Sequence, residues 1–402
     1  MPQVQASVPW DHDARRRFGG LSFPVEEYRD RLARVQAAMQ RDGLTHLVAY
    51  SNYADPGNAR WLSGFFTSHG DSLVVVPLEG EPVLVTNWVM HDEPMHSGIY
   101  GSWIPDTRVC PMGSGDVVVE AADAVRRSGG TPRRVGLAGR RVVPARVESA
   151  LRAQLDVEGF ADGDALLLGV RRIKSPREIE TMRRAARITG AGIGAAMAAC
   201  LPGVTEQAVA GIAHGTMFAA GAEHLAFETA VASGGRRAGL KHCAPTWRAM
   251  QPGDLVFLDM GATVDGYYAD VSRCVAVDEP TPEGWRLLAA AEDLYAELAR
   301  LGRPGMALVD WHADALRLAA ELGFADAYKP NGFGHGLGCM LFERPSLHYG
   351  DNPEVLEEGM IFAFEPMIVV DGLGTGVVEE TVLVTAEGIE PLSGLPTRLY
   401  SR

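Results

Sequence analysis

The 402-residue chain lacks any run of lysine and arginine long enough to offset its overall charge, which is −14 from 37 basic and 51 acidic side chains. Such an excess of negative charge repels nucleic acid and anionic lipid, so neither is expected as a partner. No Cys-x-x-Cys pair is present, and the five cysteines, at 110, 200, 243, 274 and 339, are scattered and odd in number. That pattern excludes a disulfide scaffold and a zinc knuckle, and it fits a reducing, cytoplasmic setting. The first residues, MPQVQASVPWDHDARRR, contain no apolar core of a secretory signal. Long hydrophobic runs are also missing. The uncharged stretch from Ile188 to Thr205 approaches membrane-spanning length, but its glycine and alanine content points to a buried, closely packed helix. No Gly-Lys-Ser/Thr motif occurs and no glycine-rich fingerprint follows an expected strand, which argues against a nucleotide site.

The composition that remains, 47% apolar and 22% charged, is that of an ordinary globular protein long enough for two domains. Near the start, Tyr28, Leu32, Val35 and Met39 recur at helical spacing until Gly43 stops the helix, and THLVAY follows as a strand. SLVVVPLEGEPVLVT reads as a strand pair turning at Glu79-Gly80. A helix near 117–127 and the strand RRVGLAG complete a small α/β domain. The boundary falls near RRIKSPREIETMRRAARI, where Ser175, Pro176 and Glu178 form a capping box with proline at the first helical position. We therefore expect domains over 1–169 and 170–402. The second reads as helices over 175–200 and 205–220, strands over 225–233 and 255–277, helices over 283–301 and 306–322, and strands after 333. That order predicts an α+β domain with a largely antiparallel sheet.

The most informative segment is GDLVFLDMGATVDGYYADVSRCVAV. Asp265-Gly266 is a strong two-residue hairpin signal. Folding there pairs Val264 with Tyr267, Gly261 with Asp270 and Asp259 with Ser272. Asp259 and Asp270 then share one face as diagonal neighbours, roughly 7–8 Å apart at the backbone. Burying an unpaired carboxylate costs several kcal/mol, and a second one beside it adds repulsion. A divalent cation relieves both costs. Alternatively, Asp259 meets an arginine or caps a loop, and Asp270 lies in solvent.

Three further polar residues sit in apolar strand-like runs. His335 lies in NGFGHGLGCMLFERP, where glycines 334, 336 and 338 make room either for a ligand or for close backbone packing. Glu365 lies in GMIFAFEPMIVV and Glu379 in GTGVVEETVLVT. One shared cation or cation pair would satisfy all of them. Two aspartates, two glutamates and a histidine suit manganese, iron, cobalt or zinc, and a set of this size can hold two ions and activate water toward a carbonyl.

In these residues the chain resembles the pita-bread family of aminopeptidase P, prolidase, methionine aminopeptidase and creatinase. The resemblance covers most of the chain. It implies a creatinase-like α/β N-terminal domain followed by an α+β pita-bread catalytic domain with a curved, largely antiparallel sheet. It implies that Asp259, Asp270, His335, Glu365 and Glu379 bind two divalent ions, with Asp270 and Glu379 bridging them and Glu365 carrying the proton of the attacking water. His242, in GLKHCAPTWRAMQPGD, matches the cleft histidine that steadies the scissile carbonyl. Relatives of this type are usually homodimers, in which Trp61, Phe66 and His69 would edge the partner's site or else pack within their own domain.

Three positions depart from the pattern of Xaa-Pro enzymes. Asn331 replaces a histidine four residues before His335, Phe342 replaces one seven residues after it, and Val377 replaces an arginine two residues before Glu379. Losing a cationic clamp and two donors leaves a dipeptide carboxylate poorly paired. Arg344 either supplies charge from another angle or is a surface arginine before Pro345. Tyr268 shares parity with Asp270 and is the better cleft candidate of the Tyr267-Tyr268 pair, and Cys339 is expected as a buried thiol. The expected activity is a dinuclear metal-dependent hydrolysis of a C–N amide bond in a small molecule or dipeptide, with a non-proline substrate favoured. The alternatives are an Xaa-Pro dipeptidase, a metal-dependent lyase of the kind that cleaves dimethylsulfoniopropionate, and a catalytically retired binding module.

Overall fold

The computed structural model describes residues 21–67, 70–88, 101–111, 114–129, 134–235, 243–328, 333–346 and 352–400. It divides into two units, Met1–Val170 and Arg171–Arg402. In the first, the helix Val25–Asp42 buries Tyr28, Leu32, Val35 and Met39 and ends on Gly43 in the left-handed conformation, φ 67°. Glycine adopts that conformation without steric cost, which is why the helix stops there. A six-stranded sheet follows, built from β1 (His46–Asn52), β2 (Asp71–Pro77), β3 (Val83–Trp88), β4 (Asp106–Pro111), β5 (Val135–Ala138) and β6 (Ala161–Asp162) in the order β4-β3-β2-β1-β5-β6. The strand pair turning near Gly80 is antiparallel, whereas β5 joins β1 in parallel. The helices Asp116–Arg127 and Ala145–Leu155 bury Val117, Ala121, Val125 and Leu151 in the same core as Val48, Leu73, Val85 and Leu137.

The second unit opens on the helix Pro176–Ala199, whose capping box is complete: Ser175 Oγ accepts from Glu178 N–H, and the Glu178 carboxylate accepts from Ser175 N–H at 2.8 Å. The uncharged stretch within it is a packed helix as expected. A Cβ on Gly190 would lie 2.5 Å from Ser393 O, and one on Gly192 would lie 2.5 Å from the Met217 side chain. Among the described residues no helix is long and apolar enough to cross a membrane.

The strands of this unit are β7 (His224–Leu225), β8 (Ala230–Ser233), β9 (Leu255–Met260), β10 (Ala262–Val264), β11 (Tyr267–Tyr268), β12 (Val271–Ala276), β13 (Gly334–Gly336), β14 (Glu343–Ser346), β15 (Ile361–Phe364), β16 (Met367–Val370), β17 (Gly374–Val377), β18 (Glu380–Thr385) and β19 (Gly388–Pro391). They form sheets ordered β12-β9-β8, β11-β10-β7, β14-β13-β15-β18-β19 and β16-β17. All of their pairings are antiparallel.

The long strands expected over 225–233 and 255–277 are broken. The second breaks at Gly261, where a Cβ would fall 2.1 Å from Ala269 O, so the ladder changes sheets at a residue with no side chain. Beneath β13 and β15, the Trp311 ring stacks on Phe364 at 4.9 Å and meets Phe333 edge-on at 4.9 Å. Aromatic pairs of this kind add about 0.5–1.5 kcal/mol each beyond area burial, which gives the strands above them a stiff floor.

Candidate metal centre

The hairpin register is the one the sequence dictates: Val264 faces Tyr267 at the turn, and Asp259 faces Ser272 where β9 meets β12. This brings Asp259, at 4% exposure, and Asp270, at 6%, to a common point. Glu379, at 2%, reaches the same point from the link between β17 and β18, and ligand oxygens of all three lie within 4.8 Å of one another. His335 on β13 places Nε2 3.5 Å from Asp270 Oδ2. Glu365 follows β15, is buried, and donates its N–H to Phe333 O at 2.8 Å.

The electrostatics of the cluster follow from its burial. Removal from water drives the Glu379 carboxyl well above its ordinary range, and the charges of Asp270, Glu365 and Asp259 push it further. Burial alone would lower the His335 pKa, but the hydrogen bond and charge of Asp270, with the charge of Glu365, outweigh it and raise it. Asp270 Oδ1 is buried without a hydrogen-bond partner among the described residues. Three carboxylates gathered at one point, the His335 imidazole beside Asp270, and one Asp270 oxygen without a partner form a donor set that a divalent cation fits.

The glycines around His335 serve the neighbouring backbone and side chains. A Cβ on Gly334 would sit 1.9 Å from Ala363 O, one on Gly336 2.4 Å from Arg344 O, and one on Gly338 2.4 Å from the Glu343 carboxylate. Close packing therefore accounts for all three. The Phe342 ring lies 4.3 Å from the His335 ring at a 47° tilt and stays 39% exposed, an apolar wall beside the cluster. Tyr268 N–H donates to Gly338 O at 2.8 Å, tying the hairpin to this loop. Tyr267 instead turns inward and donates its hydroxyl to Glu178 at 2.7 Å. Cys339 is buried.

Other side chains are engaged elsewhere. The Arg344 side chain is 43% exposed, and its guanidinium is held by Glu354 at 2.8 Å. Val377 is 2% exposed and packs in the core with Phe364 and Ile368, so it presents no surface to a ligand. Arg248 pairs with Asp254 and donates to Ser233 Oγ at 2.6 Å. Trp61 is buried in its own unit, 5.3 Å below the Arg31 guanidinium, and Phe66 lies 5.5 Å from that of Arg60. His69, His242 and Asn331 lie outside the described residues.

Several buried carboxylates escaped the sequence reading. Glu343, with its side chain 1% exposed, is held by Arg171 and by Lys174 Nζ at 3.4 Å, and it accepts from Met340 N–H at 3.2 Å. Ser272 Oγ donates to the Glu379 carboxylate, and Arg273 pairs with Glu380. A charge inside an apolar run was the only available signal, and it does not name a partner more than a hundred positions away.

Comparison with known proteins gives a consistent result. The model of metallopeptidase family M24 matches residues 180–386, and that of the creatinase/prolidase N-terminal domain matches residues 31–173. An Xaa-Pro dipeptidase of Pyrococcus furiosus is 32% identical over 238 residues, 59% of this chain and 68% of the relative. The putative dipeptidase YkvY of Bacillus subtilis is 30% identical over 242 residues, 60% of this chain and 65% of the relative. The crystal structure of dipeptidase PepE from Mycobacterium ulcerans superposes with a TM-score of 0.79 at 26% identity, covering 94% of this chain and 99% of that one. The prolidase of Pyrococcus horikoshii OT3 gives 0.79 at 23% identity, covering 91% and 99%.

Proposed function

The chain belongs to metallopeptidase family M24, and on that premise we propose that it hydrolyses the C–N amide bond of a dipeptide-sized substrate. The observation that carries the reading is the convergence of Asp259, Asp270 and Glu379 within 4.8 Å, with His335 3.5 Å from Asp270. In this reading Asp259, Asp270, His335, Glu365 and Glu379 would hold two divalent ions drawn from manganese, iron, cobalt and zinc. When bound, such ions polarise a carbonyl and lower the pKa of water. Glu365 takes a proton from the attacking water and passes it to the departing nitrogen, so the products are an acid and an amine. His242 donates a hydrogen bond to the carbonyl oxygen as negative charge develops there. The five free cysteines, all buried, support a cytoplasmic setting, and a homodimer is the assembly proposed.

Relatives named Xaa-Pro dipeptidases make Xaa-Pro dipeptides the first substrates to assay. A non-proline substrate is the second reading, favoured by the Phe342 ring beside His335 and by the engagement of Arg344 with Glu354. Elemental analysis of protein purified without added metal or chelator should find about two equivalents of one of these metals per chain. A chain that stays metal-free after reconstitution would refute the mechanism. A dipeptide panel then separates the two substrate readings. Incorporation of label from heavy-oxygen water into the acid product marks hydrolysis, and its absence marks lyase chemistry.

A further inference from the structure

The ligand-bearing segments come from two different sheets. Asp259 and Asp270 belong to the β9 and β12 side, whereas Glu379 leads into β18 of the five-stranded sheet. Between β12 and β18 no ladder runs; the backbone there is joined by an isolated bridge from Arg273 to Val378 and by a hydrogen bond from Glu379 N–H to Ser272 O at 3.1 Å. Ser272 O is met by that bond, whereas Glu379 lies outside the ladders of the described strands and its carbonyl takes a donor from a side chain.

We infer that Arg273 is a positioning residue for the metal centre: its guanidinium fastens the carbonyl of Glu379 to that of Ser272 and so fixes ligands from two sheets relative to one another. Arg273 is 1% exposed. Its Nη1 donates to Ser272 O at 2.9 Å and to Glu379 O at 2.7 Å, its Nε donates to Pro396 O at 3.1 Å, and its Nη2 binds the Glu380 carboxylate. Glu380 in turn accepts from Ser393 Oγ at 2.6 Å and from Ser393 N–H at 3.3 Å, so the segment after β19 is drawn into the same fastening.

A neighbouring residue supports the seam in parallel: Thr381 Oγ1 accepts from Asp270 N–H and donates to Asp270 O, both at 2.9 Å. Holding the Glu379 carbonyl sets the plane of the peptide that follows its side chain. Ligand geometry must be held within about half an ångström to keep its value. Lysine cannot reproduce this, because an ammonium is a point charge, whereas the planar guanidinium donates in several fixed directions at once.

The inference rests on the reading of the acidic cluster as a metal centre, and the test separates the two. Mn²⁺ is titrated calorimetrically into the full chain after chelator treatment, for wild type, Arg273→Lys and Arg183→Lys. Arg183 pairs with Glu390 away from the seam and controls for loss of an ordinary ion pair. Arg273→Lys should unfold cooperatively and keep the wild-type stoichiometry, but bind Mn²⁺ about 10–100-fold more weakly, the usual cost of losing a group that orients a ligand. Arg183→Lys should bind as wild type does. A folded Arg273→Lys with wild-type affinity overturns the positioning role. Wild type that takes up no Mn²⁺, Co²⁺ or Zn²⁺ overturns the metal reading itself, and the positioning role with it. If Arg273→Lys does not fold, Ser393→Ala decides: a several-fold weaker Mn²⁺ affinity supports the fastening, and an unchanged one overturns it.

Discussion

At Glu379, burial and then the charges of Asp270, Glu365 and Asp259 all favour the protonated form. In the metal-free protein its folded-state pKa lies above the unfolded value. The stability this contributes is therefore complete below the ordinary glutamate pKa of 4.5 and is lost as pH rises through the folded value. A cation reverses the preference by stabilising the carboxylate, so binding expels a proton at any pH where the metal-free carboxyl still holds one. Calorimetric titration of Mn²⁺ near neutral pH, in buffers of different ionisation enthalpy, should show proton release. Glu379→Gln should raise the melting temperature of the metal-free protein at pH 8 while abolishing the metal-induced rise, and a variant that melts lower than wild type without metal would contradict this. Phe342→His bears on the substrate. If the ring beside His335 excludes proline substrates, the exchange should raise kcat/KM on Xaa-Pro dipeptides about tenfold or more, a difference of about 1.4 kcal/mol in transition-state binding. Asp259 and Asp270 were legible in the sequence because a carboxylate in an apolar strand is costly wherever it points. Arg273 and Glu343 were not, because their partners lie 107 and 172 positions away and nothing local marks the pairing.

At the scale of elements, turns and caps were the most readable features. Asp265-Gly266 set the hairpin register, and both residues adopt positive φ, 52° and 78°, as a tight hairpin turn requires. The capping box at Ser175 was readable for the same reason, its chemistry being confined to four consecutive residues. Strand breaks were not readable, because Gly261 interrupts the ladder through contact with Ala269, which the chain only meets after folding. Glu206 shows how an element end can serve a distant segment. At the start of the helix Glu206–Ala219, its carboxylate accepts from Ser233 N–H and Oγ at 2.9 and 2.7 Å, and from Thr246 N–H and Oγ1 at 2.9 and 2.5 Å. Those partners bracket the stretch that contains His242. Burial pushes the Glu206 pKa up, but the hydrogen bonds from Thr246 and Ser233 outweigh it and hold the value below 4.5. Their contribution is therefore present above the unfolded pKa and is lost as pH falls through the folded value. In denaturant titrations from pH 7 to pH 2, wild type should lose this share of stability below about pH 4.5, and Glu206→Gln should begin lower at pH 7 and fall less steeply. Parallel curves for the two proteins would show that the hydrogen bonds do not favour the charged form.

For the whole molecule, the division into Met1–Val170 and Arg171–Arg402 bears on how metal binding is coupled to folding. All five proposed ligands lie in the second unit, so the linkage between binding and folding belongs to that unit alone. A ligand held only by the folded form stabilises it by about 2.7 kcal/mol at a hundred times its dissociation constant. For a unit of this size that corresponds to a rise of about 5–11 °C in melting temperature, at about 2–4 °C per kcal/mol. Two units with separate cores need not unfold in one step, and a single transition temperature would then be ill-defined. Scanning calorimetry of the full chain, with chelator and then with saturating Mn²⁺, should show one component moving up by that amount while heat attributable to the first unit stays in place. Limited proteolysis before and after metal provides the assignment, because protection should grow within 171–400 and remain unchanged within 21–170. If protection grows equally in both segments and the whole transition moves together, the two units unfold as one, and metal acts on the stability of the entire chain.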